Sequence, residues 1–468
     1  MSNIYEVALK EAGALDPKLP AVFEAVQKVI SPKVPYKMRG LMTASELITF
    51  AGHLRRNINL NGSSIPVNAI GILIGDSGKG KGRALNALQK VLKPALKEIN
   101  VVRIAQAKQF AVESAALAGK PESKWRDFHS KPRDLVTAIS TMEGWRKHMN
   151  ALEDGKLGAG TLYVDEIASE LASSKELMEL LISLSVLYDH GGLPVKVLKS
   201  DENQGKAIDN LPVNALLFGS PAGFMSNDAV KAKFIDEASS KLARRCIAYF
   251  SREKQTIVTY DDVEQARESA RTEAANIKEV NESLTPWFTS LVHGTSHVDL
   301  EPSQEALDTL TDYTQYNEIV GDAMSMLQPL AKIHREHRQW AAFKVAGALA
   351  ILEGANDLNQ THMIEAINFI ELYADDLGAF EDELNKEKYE LFADYMASIA
   401  AQGYANISVH KLRKLGYVKG TGSPQAKLLE LIDLAKSYDD INRYEYSEGY
   451  IHFYEDSIVV SNEREELA

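Results

Sequence analysis

Two observations predict an α/β fold for this chain. Three apolar runs, at 69–74, 161–165 and 213–219, read as strands of a parallel sheet, which is covered on both faces and so needs no polar alternation. A glycine-rich turn follows the first run, and after it Ala84, Leu85, Leu88, Val91 and Leu92 recur at helical spacing. The 468 residues leave room for roughly two to four domains, and 45% hydrophobic with 25% charged residues is an ordinary globular composition. No apolar run approaches the roughly 18 residues of a membrane-spanning helix, and Met1-Ser2-Asn3-Ile4-Tyr5-Glu6 lacks the marks of a signal peptide, so no membrane partner is expected. The single cysteine, Cys246, excludes an internal disulfide framework and suits a cytoplasmic, reducing location. A net charge of −13 disfavours a protein coated in nucleic acid but leaves room for a local basic channel.

Along the chain, residues 1–66 are expected to be helical. Val22, Phe23, Val26, Val29 and Ile30 share one helical face, and Thr43-Ala44-Ser45-Glu46 reads as a capped helix start. Pro32, Pro35 and Asn61-Gly62-Ser63-Ser64 punctuate the region. Residues 67–255 carry the α/β core. Residues 256–385 read as helices that end in an amphipathic pair, 341–352 and 361–377, joined by a C-cap and turn at Glu353-Gly354-Ala355-Asn356-Asp357. In 386–468 a helix at 386–401 leads to 409–415, a helix at 424–437 and two aromatic strands turned at Glu448-Gly449. Helix, helix, hairpin is the order of a winged helix. There is no internal repeat, and only the charged tail 463–468 reads as disordered.

The turn is Gly75-Asp76-Ser77-Gly78-Lys79-Gly80-Lys81-Gly82. It fits the phosphate-binding P-loop, G-x-x-x-x-G-K followed by Ser or Thr, except that Gly82 stands where a hydroxyl should hold Mg²⁺. Strand, glycine turn and helix start aim backbone N–H groups and a helix dipole at phosphates, and Lys81 can reach the β and γ phosphates of ATP. Ser77 is a candidate to compensate for the missing hydroxyl. The run Thr161-Leu162-Tyr163-Val164-Asp165-Glu166 ends in two carboxylates, the Walker B form. Asp165 would hold Mg²⁺ and Glu166 would polarise the attacking water. The second acid argues against a nucleotide kinase, which has no water to activate.

Further motifs follow in order: Leu187-Tyr188-Asp189, a hairpin over 194–208, the strand 213–219 with Ser220-Pro221 at its tip, and Leu242-Ala243-Arg244-Arg245-Cys246. Over about 67–380 this order resembles the AAA+ helicase clade of minichromosome maintenance and superfamily 3 helicases, and in particular phage and prophage replication ATPases of the helicase or primase-like kind. The resemblance implies an AAA+ core with a helical lid over 256–385 and the winged helix at the end. It implies that Ser220 takes the sensor 1 place and that Arg245, with Arg244 as the fallback, is an arginine finger for the neighbouring subunit. Lys344 falls where the lid carries a sensor 2 arginine, although a residue snorkelling on an amphipathic helix is an equal reading.

The clade inserts the 194–208 hairpin into a central pore, which makes Lys196, Lys199 and Lys206 candidates for DNA phosphate contacts, alongside the alternative of a structural hairpin with solvated charges. Residues 120–133 interleave Lys and Arg with Trp125 and Phe128, a mix that suits single strands or an aromatic insertion packed on a neighbour. Lys411, Arg413, Lys414 and Lys419 give the winged helix a basic face. His334-Arg335-Glu336-His337-Arg338 reads as a solvated helix face, with too few partners for a metal site. The expectation is an ATP- and Mg²⁺-dependent DNA helicase or translocase of phage-type replication, acting as a homo-oligomeric ring, usually a hexamer, on single-stranded DNA with other replication proteins. A nucleotide-switched loader or scaffold with weak hydrolysis, or a regulatory or defence ATPase, is the alternative.

Overall fold

The computed structural model describes residues 3–75, 78, 80–118, 141–154, 156–174, 176–193, 207–225, 228–237, 241–251, 262–294, 298–324, 328–386, 388–401, 404, 406–414, 428–429, 431–432, 435, 444–447 and 449–453. The protein is a mixed α/β structure with a four-stranded parallel sheet. One compact unit is formed by Met1–Gly223 with Ala229–Glu381, and a second by Phe224–Asp228 with Asp382–Ala468.

The first unit opens with helices α1 (Ile4–Glu11), α2 (Ala21–Gln27) and α3 (Tyr36–His53). The side chain of Asn3 caps α1 by accepting from Tyr5 N at 3.0 Å. Thr43–Glu46, expected as a helix start, lies instead in the middle of α3, which begins just after Pro35. Small side chains there serve packing: a Cβ on Gly71 would stand 2.6 Å from Ser45 Oγ, so helix and sheet touch where neither carries bulk. A β-hairpin, β1 (Ile58–Leu60) with β2 (Ser63–Ile65), also corrects the all-helical expectation for 1–66. Its turn residues Asn61 and Gly62 both have positive φ (53° and 81°), the conformation that Asn-Gly supplies to a tight two-residue hairpin.

The central sheet comprises β3 (Ile70–Gly75), β4 (Gly160–Val164), β5 (Val213–Gly219) and β6 (Cys246–Ser251) in the order β4-β5-β3-β6, every pairing parallel. Every residue of β3 and β5 is buried, as continuous apolar runs require. Helices α4 (Lys81–Ala118), α5 (Met142–Asp154), α6 (Ile167–Ser173), α7 (Glu176–His190), α8 (Pro221–Met225) and α9 (Asp228–Glu237) connect or follow the strands. All four strands run the same way, so Gly75, Asp165, Ser220 and Ser251 sit at one edge, where parallel sheets hold their ligands.

Beyond the sheet come α10 (Val263–Gly294), α11 (Gln304–Asp322), α12 (Pro329–Leu352), α13 (Gln360–Glu371) and α14 (Asp376–Asn385). A two-residue parallel pair, β7 (Glu301–Pro302) with β8 (Asp357–Leu358), ties their loops. The 334–338 run is not a solvated face: His334, Arg335 and Arg338 are buried. Arg335 and Arg338 converge on Glu371 at 3.2 and 3.1 Å, and Tyr313 Oη donates to the same carboxylate at 2.6 Å. Burial works against ionisation of Glu371, but Arg338 and Arg335 win and hold its carboxyl below the ordinary value. This cluster clasps α11, α12 and α13. Glu381 caps α12, accepting from Leu330 N and Ala331 N at 3.0 Å each.

The second unit contains α15 (Lys388–Ala401), α16 (Val409–Lys414) and an antiparallel sheet of β9 (Asn406–Ser408), β10 (Tyr444–Ser447) and β11 (Tyr450–Phe453), with β11 central. Phe392, Met396, Ile407, Leu412, Leu428 and Ile451 lie in its own apolar core. Strand β9 had no sequence signal beyond three residues of mixed polarity.

One buried acid gives the core a measurable pH dependence. Glu46 of α3 is fully enclosed and hydrogen-bonded with the Tyr163 hydroxyl of β4, and burial pushes its pKa from 4.5 to about 8. The folded protein therefore holds a proton that the unfolded chain releases between these values. Stability from this group is complete below about pH 4.5 and is lost as pH rises through about 8. The Glu46→Gln variant, neutral throughout, should gain on the wild type by about 1.4 kcal/mol per pH unit in that window, read from urea midpoints at several pH values.

Candidate nucleotide site and a separate cation cluster

The candidate cradle lies at the carboxyl end of β3. Gly78 and Gly80 take φ of 88° and 84°, which an L side chain would resist, and Gly80 O accepts from Ala84 N at 2.9 Å to open α4. Lys81 Nζ donates to Gly75 O at 3.0 Å and to Gly219 O at 2.9 Å, so the lysine spans the ends of β3 and β5. Gly82 is not a steric necessity: a Cβ there would meet nothing within 4 Å. Asp76, Ser77 and Lys79 lie outside the described residues.

The acid pair sits beside it. Asp165 is exposed at the tip of β4, and Glu166 follows in extended conformation as the N-cap of α6. Ser220 N and Oγ both reach the Glu166 carboxylate, at 3.3 and 3.2 Å, and Ser220 Oγ accepts from Gly223 N at 3.3 Å. Because β5 lies between β3 and β4, Ser220 stands between cradle and acid pair. Thus Lys81, Gly219, Ser220 and Glu166 form a continuous polar line across three strand ends. The residues fit a nucleotide: a lysine held by carbonyls that a phosphate would replace, two left-handed glycines, a helix start, and an exposed carboxylate suited to Mg²⁺.

Sequence reasoning missed the contribution of α3 and the chain before it. Val34 packs against Gly80, its Cγ2 3.2 Å from where a Cβ would stand. Ile30, Pro32 and Arg39 on that side, with Asn276, Ile277 and Val280 of α10, line an open cleft of about 870 Å³. Only the prolines marked this segment, and they speak of turns rather than ligands.

Three predicted site residues lie elsewhere. Lys344 is a structural cation and not part of the cradle: it is 3% exposed, and its Nζ donates to Pro66 O, Asn68 Oδ1 and Tyr188 O at 2.7, 2.8 and 2.7 Å. Those acceptors use all three ammonium donors, and Pro66 and Asn68 precede β3, at the end opposite the P-loop. The Tyr188 ring also lies under the ammonium, 4.4 Å to its centroid. Burial pulls the Lys344 pKa down to about 7, with Asp189 opposing.

Arg245, at the start of β6, is 6% exposed and forks onto Asp189, with Nε to Oδ1 at 2.8 Å, while Nη1 donates to Lys241 O at 2.7 Å. In this arrangement it is engaged within its own chain. Arg244 beside it is half-buried, and its Nε has no acceptor. Both arginines, with Lys344, His337 and the partly exposed Trp340, line a cavity of about 260 Å³. Burial and the Arg244 charge lower the pKa of His337. The lysines of the expected pore hairpin, Lys196, Lys199 and Lys206, lie outside the described residues, as do residues 120–133; at the hairpin base Leu193 and Ile208 exchange antiparallel hydrogen bonds at 2.9 and 3.0 Å. Among the described residues no cluster of His, Cys, Asp and Glu could hold a metal on its own, and no helix is long and apolar enough to cross a membrane.

Replacing Lys344 by Met should lower stability by at least about 2 kcal/mol, because three buried acceptors lose their donor. If the cradle takes a nucleotide, the folded variant should bind ATP as the wild type does, checked by titration calorimetry below its melting temperature. A protein-family scan finds no model that matches this chain, and a search of curated proteins finds no match.

Proposed function

We propose that this protein is an ATPase of the AAA+ helicase type that drives DNA unwinding or translocation as a homo-oligomeric ring. The observation that carries the reading is the polar line from Lys81 through Gly219 and Ser220 to Glu166 across adjacent parallel strand ends. Lys81 and the turn amides would bind the phosphates, and Asp165 would hold Mg²⁺. The metal, when bound, neutralises charge on the phosphates. Glu166 would take a proton from the attacking water. Ser220 holds that carboxylate at the strand tip and fixes its direction. The three-stranded second unit with α15 and α16 supports the winged-helix reading. Lys196, Lys199 and Lys206 remain the proposed pore contacts, and Arg245, with Arg244 behind it, the group offered to a neighbouring subunit.

The second reading, a nucleotide-switched loader or scaffold, is favoured by the ion pair of Arg245 with its own Asp189. A finger for a neighbour must leave that carboxylate. The two readings separate in steady-state ATP hydrolysis with and without single-stranded DNA. For the motor, DNA stimulates turnover, Glu166→Gln removes at least about 100-fold of it while ATP still binds, and Arg245→Ala removes about 1,000-fold. ATP binding with negligible turnover under every condition would sink the motor and leave the scaffold.

Gly82 offers a complementary test in the direction of gain. Since the position is open, Gly82→Thr should fold, and the added hydroxyl should tighten Mg²⁺-dependent ATP binding by about 3- to 10-fold. Binding without Mg²⁺ should stay as it was.

A further inference from the structure

Arg39 is a half-buried cation with no hydrogen bond or ion pair among the described residues, and its Nε is shut off from solvent without an acceptor. Its neighbours are the Tyr36 ring, 6.0 Å away, and the Glu24 carboxylate, which accepts from the Tyr36 hydroxyl instead. Burial lowers the Arg39 pKa, yet a guanidinium stays charged in any protein. Glu24 is its nearby counter-charge, but no carboxylate among the described residues reaches it at ion-pair distance, so its guanidinium can still accept a ligand.

Its position is fixed by how α3 lies on β3. Gly52 faces Val67 O and Ser45 faces Gly71, so helix and strand run antiparallel. From Ser45 back to Arg39 the helix advances about 9 Å, and from Gly71 to Gly75 the strand advances about 13 Å. The first turns of α3 therefore come nearly level with the start of the P-loop. Two further ties hold them there. Val34 packs on Gly80. Lys37 pairs with Asp376, whose other oxygen accepts from Phe250 N at 3.2 Å, and Phe250 is the register partner of Ile74. Arg39 opens into the cleft of about 870 Å³ whose far wall carries Glu268, Glu273 and Glu279 on α10. Those acids repel phosphate, so an anion in the cleft is kept to the α3 side.

We propose that Arg39 binds the phosphate chain of the nucleotide whose terminal phosphates lie on Lys81, as a second cation supplied by the same chain. The proposal rests on the nucleotide reading of the cradle. A guanidinium offers two parallel donors to phosphate oxygens, which the Lys81 ammonium cannot do. Beside Lys28 on the same cleft, it also supplies the charge near the cradle that Lys344, saturated at the far end of the sheet, does not.

The test is calorimetric titration of the full chain with MgATP at several salt concentrations, comparing wild type, Arg39→Ala, Arg39→Lys and Lys81→Ala. Melting temperatures without nucleotide confirm that each variant is folded. The expected result is a loss of about 10-fold or more in affinity for Arg39→Ala, with part recovered by Arg39→Lys. The salt dependence of binding should also flatten in Arg39→Ala, which a purely structural role would not cause. Arg39→Ala binding ATP within about twofold of wild type, while Lys81→Ala loses it, would overturn the proposal and leave the cradle intact. Absence of ATP binding by the wild type would overturn both.

Discussion

The close approach of α3 to β3 is the constraint on which the carboxyl edge of the sheet depends. A Cβ on Gly71 would meet Ser45, and one on Gly52 would stand 2.7 Å from Val67 O. Bulk at either place would push helix from sheet by a distance that close packing does not absorb. The consequence reaches beyond the core, because α3 brings with it the segment that ends in Val34, and Val34 bears on Gly80. The Glu46 and Tyr163 contact binds the same helix to β4, the strand that carries the acid pair. One helix thus sets the spacing between both halves of the candidate site.

The cations of this protein divide by how completely their donors are used. Lys344 spends three N–H groups on three acceptors, and Arg335 and Arg338 share Glu371, although the Nε of each has no acceptor. Such groups are fixed, and rearranging them would leave buried acceptors open. Arg245 is intermediate: its fork on Asp189 is buried on the arginine side, while the carboxylate side chain is 38% exposed. That asymmetry makes the pair exchangeable in a way that the Lys344 cluster is not. Arg39 stands at the other extreme, half-buried with no hydrogen bond or ion pair to any described residue. The basic residues thus range from a saturated ammonium to a guanidinium with no hydrogen-bond partner among the described residues.

Sequence made some of this legible. The strands 70–75, 160–164 and 213–219 were visible because a parallel strand writes its burial as an unbroken apolar run. The glycine turn and acid pair were visible because backbone conformation and strand-end chemistry are local. Lys344 was misjudged because its meaning lies in Pro66, Asn68 and Tyr188, acceptors far away in the chain with no pattern linking them to it. The 334–338 run failed likewise, its charge buried only because α13 brings Glu371 to it. The hairpin at 58–65 was the avoidable error: Asn61-Gly62 flanked by apolar residues is a strong local hairpin signal.

Gly82 shows how far the departure from the P-loop pattern is a matter of chemistry. At Gly78 and Gly80 glycine is demanded by φ, and at Gly80 a neighbour also crowds the site. At Gly82 neither demand exists, for the residue lies in the first turn of α4 with open space around it. Glycine is a poor helix residue, less favourable than alanine by about 1 kcal/mol, so nothing in the fold asks for it there. On the proposed nucleotide reading, what its absence of a side chain changes is the donor set offered to Mg²⁺, which would leave Asp165 and solvent to carry more of that role. On that reading, weaker metal anchoring beside the phosphate cradle would favour long occupancy over rapid turnover. Under that balance the ion pair of Arg245 with Asp189 would become a second point of control, because a neighbouring subunit of the proposed ring would have to break it before a slow site could be hurried.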